Sequence, residues 1–241
     1  MAMVDGTRVC AIVPAAGAGA RMGRTAAASK ALLTLGGVPV VVRTLQPFEA
    51  AVEVDDIVLV LRPADIPVVR SLLEGAGINK VRELITGGAE RQDSVRLGFS
   101  TRTAGAAGIV VVHDAVRPLV TAELIGRVIG SAARSGAAVA AVRPKDTVKI
   151  EKEGGFDTPD RARCWLAQTP QAFRRELFAR AIRQAAGDGF LGTDDVTLVE
   201  RLGAAVSLVE GSYENMKITT PGDMRLAEAL IRPENDHHGP S

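Results

Sequence analysis

The sequence predicts an α/β fold: a mostly parallel sheet with helices on both faces and a two-stranded arm projecting from it. Three observations predict it. Short runs dominated by apolar residues recur at 9–13, 57–61, 81–85, 109–112 and 137–142, as strands buried on both faces require. Segments of helical character separate them, and strands alternating with helices at this spacing build a parallel sheet through crossovers. The residues able to do chemistry follow strand ends, at 14–30, 87–94 and 114–117. Open, Rossmann-like sheets bind their ligands at that edge.

In chain order, the run at 9–13 breaks at Pro14 into a loop of Ala and Gly that carries Arg21 and ends at Lys30. Gly36, Gly37 and Pro39 mark a turn, and a helix begins at Val40. The strand at 57–61 precedes a helix over 64–74 closed by Gly75 and Gly77. The strand at 81–85 runs into Gly87-Gly88, and 90–101 is helical, with Val95, Leu97 and Phe99 among its apolar positions. The strand at 109–112 ends at His113-Asp114, followed by a helix over 123–135 and a strand over 137–142.

Residues 144–168 break the alternation. Here 147–150 alternates like an exposed strand, 151–155 is a polar turn, and 164–167 is the expected returning strand of the arm. A lone hairpin is marginal in water, so the arm is expected to pack on something, with a second subunit as the candidate. A helix then spans 174–186. Thr193 is the expected N-cap of a helix reaching 202, with Asp194 and Asp195 in its first turn. Short strands are expected at 206–209 and 215–219, and Pro221 opens the last helix. The polar tail 232–241 is expected to be disordered.

Composition narrows the function. A chain of 241 residues suits one large α/β domain, here 1–231. The net charge of +1 gives no basic field for nucleic acid, and 3% aromatic residues leave few stacking platforms for single strands. No apolar run approaches a membrane span, and the first residues show no signal-peptide pattern. The two cysteines, Cys10 and Cys164, are read as reduced, buried thiols of a cytoplasmic protein. No Cys-x-x-Cys or His-Glu-x-x-His spacing points to zinc, and no metal-ligating residue is assigned.

The loop after the first strand is the strongest site candidate. Its small residues let backbone N–H groups approach an anion, and Arg21 and Lys30 can neutralise phosphate oxygens, which makes it a triphosphate cradle. A dinucleotide fingerprint fails because the third glycine, Gly23, falls one place late, and no Gly-Lys-Ser/Thr completes a Walker pattern. The plainer alternative is a flexible loop with two solvated cations. Asp114 could orient a sugar hydroxyl or help hold a metal ion, and Arg117 could grip a phosphate. A structural Asp–Arg pair is the alternative. His113 reads as a packing or hydrogen-bonding residue, not a base. Lys217 lies in an apolar context that a phosphate partner would explain, as would a side chain reaching out to solvent. Arg161 and Arg163 read, on the residues alone, as surface charges.

Together these pieces resemble a known family. The cradle with Lys30, Gly87-Gly88 with Glu90-Arg91 and Asp93-Ser94, and the run from His113 to Pro118 occur in that family's order. So do Asp146-Thr147-Val148-Lys149, Gln168-Thr169-Pro170-Gln171, Thr193-Asp194-Asp195, and the run from Asn215 to Thr219. The chain from Val9 to about Ile231 resembles the 2-C-methyl-D-erythritol 4-phosphate cytidylyltransferases.

The resemblance implies a single nucleotidyltransferase domain that joins CTP to methylerythritol phosphate and releases pyrophosphate, with Mg2+ held mainly by the CTP phosphates. It implies that Arg21 and Lys30 stabilise the transition state. Ala15, Ala16, Gly17 and Gly19 would line the nucleotide, with Gly88 and Ser94 near the cytosine. Asp114, Arg117, Thr147 and Thr169 would hold methylerythritol phosphate, with Lys217 near its phosphate and Arg161 reaching that phosphate from the arm of the other subunit of a homodimer. The chain departs from the family's usual pattern in three places: Ser29-Lys30-Ala31 stands where Pro-Lys-Gln is common, Ala89 stands where Asp is frequent, and 23–29 is alanine-rich. The alternatives are a cytidylyltransferase for another polyol phosphate such as ribitol 5-phosphate, and a nucleotide-binding module without catalysis.

Overall fold

Alternate residues of the first strand feed two different cores. In β1 (Val9–Pro14), Val9, Ala11 and Val13 join one apolar cluster while Cys10 and Ile12 join another, because successive side chains of a strand point to opposite faces. This is a computed structural model, and it describes residues 6–17 and 29–231. Gly19, Arg21, the alanine-rich stretch 23–28 and the tail 232–241 lie outside the described residues.

A short hairpin of β2 (Thr34–Leu35) and β3 (Val38–Pro39) turns on Gly36 and Gly37. Both glycines have positive φ (56° and 76°), as a two-residue turn matching strand twist demands. Next come α1 (Val40–Ala50), β4 (Asp56–Leu61), α2 (Ile66–Gly75) and β5 (Val81–Thr86). The chain continues through α3 (Arg91–Phe99), α4 (Arg102–Gly105), β6 (Ile109–Val112), α5 (Ala122–Ser135) and β7 (Ala137–Val142). After β7 come β8 (Ile150–Lys152), β9 (Gly155–Asp157), β10 (Leu166–Arg174), α6 (Arg175–Gly187), α7 (Asp195–Glu200), β11 (Ser207–Glu210) and α8 (Pro221–Ile231).

The sheet runs β11-β7-β10-β6-β1-β4-β5. Every neighbouring pair is parallel except those of β10, which is antiparallel to both β6 and β7. Helices α1, α2 and α5 cover one face through Leu45, Phe48, Val69, Leu73, Ile125 and Val128. Helices α3, α6 and α7 cover the other through Val95, Phe99, Phe178, Ala181, Val196 and Val199. Helix α3 lies close on β1, since a Cβ at Gly98 would come within 2.6 Å of Ile12 Cγ2. A third, smaller cluster of Leu35, Val40, Ile218 and Ala227 seats α8 on the β2–β3 hairpin. Among the described residues no helix is long and apolar enough to cross a membrane.

The α/β architecture with its flanking helices agrees with expectation, but the region after β7 differs. Residues 164–167 are not the returning strand of the arm. The arm's strands are β8 and β9, which among the described residues pair only with each other, starting at Ile150 and turning at Glu153-Gly154. The chain from Leu166 instead enters the main sheet as its reversed strand. Residues 215–219 form no strand; apolar Met216 and Ile218 pack into the third cluster, and Ile218 N–H donates to Val116 O at 2.8 Å. The N-cap of α7 is Asp194, one residue later than expected, with Oδ1 accepting from Thr197 N–H at 3.0 Å. Cys10 is buried, which pushes its thiol up to about 12, but Cys164 is only partly covered, contrary to expectation.

Candidate active site

A cleft of about 520 Å3 opens at the carboxyl edge of the sheet. That is the size of an ordinary small-molecule site. The loop after β1 supplies Ala15, Ala16 and Gly17, and Lys30 faces them. The segment after β5 supplies Gly88, Ala89 and Glu90, and α3 adds Arg91 and Ser94. Asp114 and Val116 come from the end of β6, and Lys217, Ile218 and Thr219 from the loop before α8. Of its charged lining residues, Lys30, Arg91 and Lys217 are cationic and Glu90 and Asp114 are acidic.

Hydrogen bonds hold the rim. Ala15 N–H donates to Val60 O at 2.6 Å, and Gly87 N–H to Leu61 O at 2.9 Å, so the first two loops stay on β4. Ser94 Oγ accepts from Gly88 N–H at 3.2 Å. A Cβ on Gly87 would sit 2.4 Å from Ala16 Cβ and 2.7 Å from Ser94 Oγ, so only glycine lets the two loops meet. Ser29, where a proline was the family pattern, is buried, and its Oγ accepts from Ala31 N–H at 3.3 Å. The serine thus caps the 3-10 turn Lys30–Leu32 that presents Lys30. Lys30 Nζ donates to Thr219 O at 2.9 Å. Asp223 fixes that carbonyl's residue by accepting from Thr219 N–H and Oγ1 at 2.8 and 2.6 Å.

Asp114 is the electrostatic centre. Its Oδ1 accepts from Arg91 Nε at 2.8 Å, its Oδ2 lies 2.8 Å from Lys217 Nζ, and Arg117 Nε stands 3.7 Å away. Burial would push the carboxyl up, but Arg91, Lys217 and Arg117 outweigh it and hold Asp114 well below the usual carboxylate range. Asp114 N–H donates to Thr169 Oγ1 at 3.1 Å. Arg117 Nη1 donates to Asn215 O at 2.8 Å, and Asn215 Nδ2 to Thr169 O at 2.8 Å and Gln168 Oε1 at 3.2 Å. The start of β10 and the loop bearing Lys217 are therefore one unit behind Asp114.

His113, the neighbour of Asp114, faces the core against Phe48, with ring centroids 5.0 Å apart. Burial lowers its pKa to about 3, so it is neutral. Its Nε2 lies 3.3 Å from Arg117 O, which sets the Nε2–H tautomer. It is a packing residue, as expected.

Of the sequence-derived candidates, Ala15, Ala16, Gly17, Lys30, Gly88, Ser94, Asp114 and Lys217 line this cleft together. Arg117 and Thr169 stand behind Asp114. Thr147 and Arg161 do not line it. Both are exposed, and Arg161 Nη1 donates to Lys145 O at 2.6 Å beside a separate hollow at the root of the arm. Sequence reasoning missed Arg91 and Asp195. Arg91 Nη2 donates to Asp195 Oδ2 at 2.7 Å, and burial pushes Asp195 up. An arginine opening an amphipathic helix reads as a surface charge, and only the quoted Glu90-Arg91 and Thr193-Asp194-Asp195 motifs hinted otherwise.

No group of three or more His, Cys, Asp or Glu among the described residues could hold a metal ion. Both oxygens of Asp114 already face cations. The donor set fits an ion carried in on a polyphosphate rather than one caged by protein.

Comparison with known proteins gives consistent matches. A family model described as 2-C-methyl-D-erythritol 4-phosphate cytidylyltransferase matches residues 9–233. A protein of that name from Geobacter metallireducens is 48% identical over 228 residues, covering 93% of this chain and 97% of its own. One from Bacillus velezensis is 45% identical over 229 residues, covering 94% and 97%. Among solved structures, the 4-diphosphocytidyl-2C-methyl-D-erythritol synthase of Anaerococcus prevotii superposes with a TM-score of 0.85 at 32% identity, over 97% of this chain and 100% of that one. The 2-C-methyl-D-erythritol 4-phosphate cytidylyltransferase of Thermus thermophilus superposes with 0.72 at 33% identity, over 92% and 98%.

Proposed function

We infer the roles of the site residues from one premise: the chain belongs to the 2-C-methyl-D-erythritol 4-phosphate cytidylyltransferase family. It is a nucleotidyltransferase that converts CTP and 2-C-methyl-D-erythritol 4-phosphate to CDP-methylerythritol and pyrophosphate in non-mevalonate isoprenoid biosynthesis. In our proposal, residues 1–231 form one nucleotidyltransferase domain and both substrates meet in the cleft at the carboxyl edge. The observation that carries this reading is the convergence there of the small-residue loop, Lys30, and the Asp114–Lys217 pair.

The methylerythritol phosphate oxygen attacks the α-phosphorus of CTP in line. A new P–O bond forms, the α–β bridging P–O bond breaks, and pyrophosphate leaves with the electron pair. The nucleophile is already an anion, so no general base is required. The neutral, inward-facing His113 is in keeping with that. Catalysis is then positioning plus charge stabilisation. Ala15, Ala16, Gly17 and Gly19 receive the nucleotide, and Gly88 and Ser94 face the cytosine. Lys30, with Arg21, stabilises the pentacoordinate phosphorus.

Asp114, Arg117, Thr147 and Thr169 hold methylerythritol phosphate, and Lys217 faces its phosphate. Mg2+ carried in mainly on the CTP phosphates would supply charge neutralisation there when bound. The exposed Ile150 and Phe156 on the arm support a homodimer in which Arg161 serves the neighbouring subunit's substrate. A cytoplasmic setting belongs to the same proposal.

The test is pyrophosphate release with CTP and Mg2+, comparing methylerythritol phosphate with ribitol 5-phosphate. Preferential release with the first is expected. Preferential release with ribitol 5-phosphate would keep the mechanism and overturn the assigned polyol.

A further inference from the structure

Arg91 occupies the junction between the two halves of the cleft. It is the first residue of α3, directly after the glycine segment proposed to face the cytosine, and its guanidinium forks. Nε donates to Asp114 Oδ1 at 2.8 Å and Nη2 to Asp195 Oδ2 at 2.7 Å. The Asp195 side chain is only 2% exposed. We propose that Arg91 is a positioning residue: it sets the orientation of the Asp114 carboxylate toward the polyol phosphate by bolting it to Asp195 at the start of α7. The proposal rests on the reading that Asp114 holds that substrate.

The geometry supports a rigid relay. Asp195 does not drift, because the start of α7 is tied to β10 through Gln171. Gln171 Nε2 donates to Asp194 Oδ2 at 3.0 Å, and its Oε1 accepts from Val196 N–H at 2.9 Å. Asp114 is held at its backbone by Thr169. Arg91 joins these two fixed points, so the carboxylate is fixed at both its main chain and its side chain. A planar fork can span two carboxylates at a set angle, whereas a lysine ammonium satisfies one or the other.

Arg91 also determines what Lys217 experiences. With Arg91 on Oδ1 and Lys217 on Oδ2, the single negative charge of Asp114 is shared, and Lys217 keeps attraction to spare for a phosphate. Without Arg91, Oδ1 would lose its only hydrogen-bond donor among the described residues, and Asp114 would draw Lys217 more tightly to itself.

The test is steady-state kinetics of Arg91→Gln, Arg91→Lys, Asp195→Asn and Asp114→Asn, varying each substrate in turn, with thermal unfolding of each variant. Arg91→Gln is expected to raise KM for methylerythritol phosphate by about tenfold or more while KM for CTP moves less than about twofold. Arg91→Lys should recover part of the loss, and Asp195→Asn should shift the same KM in the same direction by a smaller factor. If Arg91→Gln does not fold, Asp195→Asn carries the test, since it removes the anchoring charge at nearly constant shape. Equal rises in both KM values together with lost thermal stability would make Arg91 merely structural and overturn the proposal. A moved KM in Asp114→Asn with unmoved values in Arg91→Gln would overturn the proposal alone. An unmoved KM in Asp114→Asn would overturn the reading of Asp114, and the proposal with it.

Discussion

Lys217 Nζ stands 2.8 Å from Asp114 Oδ2, across a sequence separation that only the fold can close. The lysine comes from the loop before α8 and the acid from the end of β6. Asp114 has further partners, because Arg91 and Arg117 also face it. Lys217→Ala should therefore leave Asp114 neutralised and the fold nearly as stable. Its cost should appear as a fall in kcat/KM for methylerythritol phosphate of about 10-fold to 100-fold. Kinetics with each substrate varied, beside a melting curve, check this; a KM for CTP that rises instead would move Lys217 to the nucleotide.

Lys30 is presented by a serine-capped turn and reaches Thr219 O. Lys30→Ala should lower kcat by about 100-fold or more, as removal of one transition-state donor does, with little change in Tm. Arg21→Ala should act alike. Near-normal kcat in either variant would remove that residue from the transition state.

Gly87→Ala tests the meeting of the two loops proposed to receive the nucleotide. The added Cβ would press on Ala16 Cβ at 2.4 Å, a strain costing about 1–3 kcal/mol. We expect a lower Tm and a raised KM for CTP together. A variant with parental Tm and KM would show that the loops give way freely.

His113 makes stability depend on pH. Its pKa is pushed down to about 3 in the fold by burial, against about 6.5 in an unfolded chain. Between those values the unfolded state binds the extra proton. The contribution is thus complete above about pH 6.5 and lost as pH falls toward about 3, at up to ~1.4 kcal/mol per pH unit. His113→Gln keeps a donor for the Arg117 carbonyl but cannot titrate, so its Tm should fall less between pH 6.5 and 4. Parallel curves for parent and variant would clear His113 of the effect.

Arg161 donates to Lys145 O within its own chain. If the arm serves a neighbouring subunit, Arg161→Ala should raise KM for methylerythritol phosphate without weakening CTP. Mixing it with a Lys30→Ala chain should then restore activity through hybrid dimers. Absence of restoration would confine Arg161 to its own protomer.

The central strands were readable because β1, β4, β6 and β7 are almost wholly apolar, the mark of burial on both faces. Ala15, Ala16, Gly17, Lys30, Gly88, Ser94, Asp114 and Lys217, which line one cleft, were readable as small, polar or charged residues following strands or standing in a motif. Strand β10 was not. Gln168, Thr169 and Gln171 make its first half look like loop, yet all three are buried, their polar atoms satisfied by Asn215, Asp114 and the start of α7. Residues 215–219 failed in the opposite sense: Met216 and Ile218 alternate like a strand but fill a side cluster under α8. Arg91 escaped because a charge-sharing geometry made from residues 91, 114 and 195 leaves no local pattern.

The reversed β10 has a consequence for how such an enzyme can vary. In an all-parallel sheet the chain only departs from the carboxyl edge. Here it departs after β7 and arrives back on the same edge at Leu166, so the intervening excursion leaves the sheet and rejoins it beside its point of exit. Both ends of that detour are anchored in the sheet by the β7–β10 pairing, while its tip, β8 and β9, pairs with nothing else among the described residues. The detour can be lengthened, shortened or redecorated by mutation while the sheet register stays as it is. Selection can thus reshape this excursion independently of the sheet and of the cleft at its carboxyl edge.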